Sequence, residues 1–333
     1  MKHNKGFSSL EFLITLFFLS LILIALGFFL RTADLTVKKH TANKNDKEIV
    51  DSVLTDIFNE IKNDSTPAAD SDFDPVWKYN ETEINGFHIK IRSLSALLNL
   101  NFIEKDILLK TSLNKFFKSV DEIENLKNMI YNEGLVYSYE KLSDYITEEN
   151  FNSTFTLYGY ANYNVSEELP LKLFINDLTQ SAYGDELINE RKAMKFNKQL
   201  VQNETELQML CGIHYDDIFP YVNLNPSLNV NFMSEDCLKA LLSYSGFNLS
   251  NATQKINNLI ELRNNKEIRQ EELYEVLGIS KSNELYYYLG CKTWMWQICL
   301  DNQKTSCSVV LARSPVENSS GKTDIYLIEK KWK

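Results

Sequence analysis

Asp70, Asp72 and Asp74 alternate with other residues, and Glu81 stands at the twelfth position counted from Asp70. That is the spacing of a calcium loop, where alternate carboxylates and a distal bidentate Glu supply oxygen ligands. Pro75 fills the sixth position, where the sharp turn needs Gly, because proline cannot reach positive φ. A solvated acidic loop is therefore the expected state and no cofactor is expected, with calcium left open as the alternative and its ligands not assigned. The four histidines, His3, His40, His88 and His214, are far apart, and none lies in an HExxH pattern. No G-x-S-x-G elbow, P-loop or C-x-x-C pair occurs. Nothing pairs a nucleophile with a base, so the chain is read as non-catalytic. The five cysteines are Cys211, Cys237, Cys291, Cys299 and Cys307. Cys299 and Cys307 are symmetric about Gln303, so a hairpin centred there would oppose them as a candidate disulfide. Opposed Cβ atoms lie about 4.5–5.5 Å apart, a little wide for a bridge without local adjustment.

These residues need elements to hold them. Phe87-His88-Ile89-Lys90-Ile91-Arg92 alternates apolar and polar residues, which predicts a half-buried strand. From about 104 to 283 helical periods dominate. The expected helices are Glu104–Phe117, Val120–Tyr131, Leu171–Leu178, Asp185–Phe196, Glu204–Leu210, Glu235–Tyr244, Asn251–Leu262 and Gln270–Val276. Asn203 with Glu206 forms a capping-box pattern. Strands return at Trp294–Leu300, Ser308–Ala312 and Asp324–Glu329, separated by polar turns. Trp294 and Trp296 are expected on one strand face with Ile298 and Leu300, and core packing is the expected use of the aromatic set they form with Tyr286, Tyr287 and Tyr288.

Upstream, Ile49, Val50, Val53, Leu54, Ile57, Phe58 and Ile61 recur at three- and four-residue steps, a helical stripe that Asn63-Asp64-Ser65-Thr66-Pro67 ends. Before it, Phe12 to Leu30 is a charge-free run of 19 residues, long enough to span a hydrocarbon core of roughly 30 Å. It is too long for a secretory h-region, and no small-x-small cleavage site follows it. A short basic leader ending in Gly6 precedes it, followed by Phe7 and, five residues past the Gly, Glu11.

That N-terminus resembles the class III leader of type IV pilins and pseudopilins. The resemblance implies cleavage by a prepilin peptidase after Gly6, N-methylation of Phe7, and a Glu11 carboxylate that pairs with a neighbouring subunit's terminal amine. It also implies an inner-membrane, single-pass placement with the C-terminal body in the periplasm. The expected fold is α+β and pilin-like. Residues 1–6 would be the leader and 7–62 a long N-terminal helix with its transmembrane part at 12–30. Residues 63–103 and 284–333 would form an antiparallel-sheet body, and 104–283 a large helical insertion.

Two further segments sharpen the resemblance. Ser95-Ala96-Leu97-Leu98-Asn99-Leu100-Asn101 and Tyr221-Val222-Asn223-Leu224-Asn225 each carry an Asn-Leu-Asn triplet. The second is followed by a helix from Ser234, the turn Tyr244-Ser245-Gly246-Phe247, and a helix ending at Arg263. This resembles the minor pseudopilin K family of type II secretion systems, as does the closing Tyr326–Trp332. The implied function is a structural subunit at the pseudopilus tip that helps initiate assembly. The implied partners are the other minor pseudopilins, the major pseudopilin, prepilin peptidase and the inner membrane. Many members lack the Glu five residues past the cut, and that absence is linked to the tip position; this chain has Glu11.

Charge narrows the other classes. With 35 Lys+Arg against 45 Asp+Glu the net charge is -10, which repels phosphate backbones. The helix–hairpin–helix region has one Gly, Gly246, and little basic charge, so helix packing rather than nucleic-acid binding is expected there. Two alternatives stay open: a large minor pilin of a type IV pilus, and an extracytoplasmic binding domain on an uncleaved signal anchor.

Overall fold

A computed structural model of the chain describes residues 44–66, 68–317 and 323–332. It divides into two units, 1–55 and 56–333, each described by itself. The first described element is a helix over 44–62, α1, on which Ile57 and Ile61 are buried.

This corrects the expected architecture. Among the described residues no helix is long and apolar enough to cross a membrane. The physical reason is charge. Helix α1 carries Lys44, Asp46, Lys47, Glu48, Asp51, Asp56, Glu60 and Lys62, and the helix at Leu249–Asn265 carries Lys255, Glu261 and Arg263. The expected run at 12–30 and residues Gly6, Phe7 and Glu11 lie outside the described residues. In place of a pilin-like chain placed in the inner membrane by one spanning helix, the described chain is a mixed α+β body with an antiparallel sheet.

Strand β1 (Thr82–Ile84) and β2 (Phe87–Ser93) form a hairpin through Asn85-Gly86. Both turn residues have positive φ, 52° and 82°, as a two-residue turn matched to strand twist requires. On β2 the buried residues Phe87, Ile89, Ile91 and Ser93 alternate with the outer His88, Lys90 and Arg92, as the period of two demands.

Three copies of one module follow. Each opens with a two-residue strand ending in Asn, runs through Asn-x-Asn into helices, and closes with a two-residue strand paired parallel to the first. Module I comprises β3 (Leu98–Asn99), α2 (Lys105–Lys110), α3 (Val120–Glu133), α4 (Glu148–Thr154) and β4 (Phe155–Thr156). Module II comprises β5 (Ala161–Asn162), α5 (Glu168–Thr179), α6 (Tyr183–Phe196), α7 (Glu204–Cys211), α8 (Tyr215–Ile218) and β6 (Val222–Asn223). Module III comprises β7 (Leu228–Asn229), α9 (Glu235–Tyr244), α10 (Leu249–Asn265), α11 (Gln270–Leu277), α12 (Leu285–Tyr288) and β8 (Leu289–Gly290).

Local chemistry sets the helix ends. Ser119, Asn203, Ser234 and Asn248 each accept the backbone N–H three residues on, satisfying a donor the helix leaves free. Glu206 reaches back to the Gln202 N–H, so the expected box at Asn203 is displaced by one residue. The single helix expected over 104–117 is broken. Thr111 is extended, donates to the Ile107 carbonyl and accepts from the Leu113 N–H, and a 3-10 turn, Ser112–Phe116, takes over. Modules I and III share one buried cluster, including Ile107, Leu126, Leu238, Leu241 and Ile256. Module II buries its own around Tyr163, Leu171, Leu187 and Leu207.

The chain then returns to the sheet as β9 (Met295–Asp301), β10 (Ser306–Glu317) and β11 (Thr323–Trp332), giving the antiparallel order β1-β2-β9-β10-β11. Pairing of Ile91 with Ile298, and of Ile298 with Val309, joins the segment before the modules to the segment after them. Trp296, Ile298 and Leu300 share one buried face. Trp294 does not join them. It precedes β9, packs with Leu94, Leu97, Val310 and Ala312, and donates its Nε1–H to the Pro226 carbonyl at 2.8 Å.

Candidate functional site

The chemistry the modules share is a side-chain knot. In module I the Asn99 Oδ1 accepts the Asn101 N–H at 3.0 Å. Asn101 then exchanges two bonds with Val136: its Nδ2 donates to the Val136 carbonyl at 2.9 Å, and its Oδ1 accepts the Val136 N–H at 2.9 Å. Module II repeats this with Asn162, Asn164 and Val201 at 2.9, 2.9 and 3.0 Å. Module III repeats it with Asn229, Asn231 and Ile268 at 3.0, 3.1 and 3.0 Å. A carboxamide both donates and accepts in one plane, so it stands in for a peptide group; an aspartate could only accept.

A cation from the second main helix of each module closes the same loop. The Lys127 Nζ donates to the Leu100 and Ile103 carbonyls at 3.0 and 2.6 Å. Arg191 donates to the Ser166 carbonyl at 2.6 Å, and Arg263 to the Val230 and Met233 carbonyls at 3.3 and 2.7 Å. Burial lowers the pKa of Lys127, and the Glu167 carboxylate 2.7 Å away opposes that shift. Glu167 is itself the cap residue of α5, so this pair ties module I to module II.

Module III is tied to the sheet by Asp70, on the loop after α1. The Asp70 N–H donates to the Cys291 carbonyl at 2.7 Å, and its own carbonyl accepts from Asn229 and Asn231 at 2.9 and 3.1 Å. Its carboxylate accepts the Thr293 N–H at 2.6 Å and both terminal nitrogens of Arg313, on β10, at 2.9 Å each. Asp64 stands 3.5 Å from the same guanidinium. Thr66 bridges Asp64 and Asp74, and Ser71 links Asp74 to Glu267. Burial pushes the Asp70 carboxyl up to about 6 against the pull of Arg313. Burial also raises Asp74 to about 6, with the Asp64 and Glu267 charges adding to the shift.

The sign of the resulting pH dependence follows. Both folded-state values exceed the ordinary aspartate value of about 4, so the folded chain holds protons the unfolded chain has released. The stabilisation is complete below about pH 4 and is lost as pH rises through about 6. The urea midpoint is therefore expected to fall between pH 5 and pH 7.5, and Asp74→Asn should flatten that slope. An unchanged slope in the variant would contradict the assignment.

The residues singled out in the sequence are placed as follows. The calcium-loop set is dispersed. Asp70 is taken by Arg313, Asp72 faces Arg263, and Glu81 meets His88 at 3.1 Å and Lys90 at 3.7 Å. Among the described residues no group of three or more His, Cys, Asp or Glu could hold a metal ion. The Cys299–Cys307 bridge is corrected: Asp301 pairs with Ser306, one residue away from a centre at Gln303. Cys299 therefore faces Ser308 and Cys307 faces Leu300, on opposite faces of the sheet, so the two thiols are not bridged to each other. The triplet Asn223-Leu224-Asn225 is not the start of module III; it closes module II, and the module III knot is Asn229-Val230-Asn231. Sequence reasoning missed that knot and Asn162-Tyr163-Asn164. The signal available was an Asn-x-Asn followed three residues later by a helix cap, at Glu104, Glu167 and Ser234. No protein-family model and no curated protein matches the chain.

Proposed function

We propose that the chain is a minor pseudopilin of the K type, a non-catalytic structural subunit at the tip of a type II secretion filament that helps initiate assembly. One observation carries the reading. The helix, hairpin, helix, Arg stretch on which the resemblance rests, Ser234 to Arg263, is one hydrogen-bonded unit in module III, tied to Asn229-Val230-Asn231 in place of the Asn223-Leu224-Asn225 triplet. That unit stands in a threefold array set between two segments of one sheet. An array locked by buried amide and cation bonds is a stiff body, suited to presenting a broad surface to other subunits. In a host that secretes folded proteins through such a system, deleting the chain should leave those proteins behind the outer membrane, and supplying it again should restore export. Undiminished export without the chain would overturn the proposal.

A further inference from the structure

Among the described residues strand β11 is an edge of the sheet, paired with β10 alone over ten residues from Thr323 to Trp332. Natural edges of that length are guarded by charge along the strand. Here the centre is apolar: Tyr326, Leu327 and Ile328 are 50%, 57% and 52% exposed. Tyr326 pairs with Ala312 and Leu327 with Leu311, so these two neighbours project to opposite faces. Ile328 is the extra residue of a bulge between the pairs Leu311–Leu327 and Val310–Glu329. A helix laid on one face would leave the other exposed, whereas a strand continuing the sheet flanks both.

The ends of β11 select the orientation. Asp324 lies at one end and Lys330-Lys331 at the other. A parallel copy would set Asp324 against Asp324 and lysines against lysines, which is unfavourable directly across strands. An antiparallel copy related by a two-fold axis at Leu327 sets Asp324 of each copy against Lys330 of the other, and Leu327 against Leu327. A two-fold between Leu327 and Ile328 sets Asp324 against Lys331. Either register closes on itself as an isologous pair. We propose that β11 is a self-association edge, taking β11 of a second copy of this chain in antiparallel register.

Sedimentation of the full chain over a concentration series tests this. The chain should form a dimer that Leu327→Lys and Asp324→Lys each weaken by roughly tenfold, given what cross-strand apolar and charged pairs contribute. Combining Asp324→Lys with Lys330→Asp and Lys331→Asp should restore association to within about threefold of the parent, because the charges are exchanged rather than lost. If Leu327→Lys loses its cooperative unfolding, Ile328→Lys at the bulge reads the same edge. A parent chain that is monomeric at every concentration overturns the proposal. So does a dimer indifferent to the Leu327 and Ile328 variants, or a charge exchange that fails to restore association.

Discussion

Arg313→Leu should lower the unfolding free energy by about 3–5 kcal/mol, the usual result of removing one partner from a buried ion pair. Arg313 is buried on β10 and holds both oxygens of the buried Asp70. Without the guanidinium, Asp70 remains among Asp64, Asp74 and Glu267 with no opposite charge beside it. Protonation of Asp70 would relieve part of the loss, so the deficit should shrink as pH falls toward 5. Asp70→Asn removes the same pair from the other side, and the two substitutions together should destabilise by less than their sum, the difference exceeding about 1 kcal/mol. Denaturant unfolding of the four chains gives the cycle. Strict additivity would mean that the pair does not join the loop after α1 to the sheet.

Asn231→Ala is the second large effect. The side chain spans Ile268 and Asp70, and its loss strands the Ile268 N–H and carbonyl together with one bond to the Asp70 carbonyl. Each buried group left unsatisfied costs about 1–3 kcal/mol, so a total near 3–5 kcal/mol is expected. Asn101→Ala and Asn164→Ala should fall just below that, because each spans only one partner residue. Asn225→Ala should cost less than about 1 kcal/mol, since surface and half-buried positions without such bonds are tolerant. In sequence, Asn223-Leu224-Asn225 and Asn229-Val230-Asn231 look alike. Equal losses at Asn225 and Asn231 would contradict the assignment of the knots.

Much of the local structure was legible because it depends on near neighbours. The 3.6-residue stripe predicts a helix over Glu235–Tyr244, and α9 has those bounds. The alternation from Phe87 and the polar turns of the C-terminal region likewise mark the strands that form the sheet. What was illegible depends on distant partners. The modules share a short Asn-x-Asn with a helix cap three residues on, and one cation, Lys in one copy and Arg in two, at variable spacing, so the repeat hides in ordinary helical sequence. Thr111 looks helical until its hydroxyl is seen bonding both sides of the break. The disulfide expectation failed by a single residue of register, enough to move one thiol to the other face. Asp70 was noticed for a calcium spacing, and its partner, 243 residues away, carries no sequence mark. The expectation of a spanning helix rested on residues 12–30, while among the described residues no helix is long and apolar enough to cross a membrane.

The central proposal, a pseudopilin role, is tested most directly by the intact N-terminal mass of the chain isolated from its native host. A chain that begins at Phe7 with a methylated amine is the predicted result, with Gly6 as the last residue of the removed leader. A chain that still begins at Met1, in a host with active prepilin peptidase, would contradict the account.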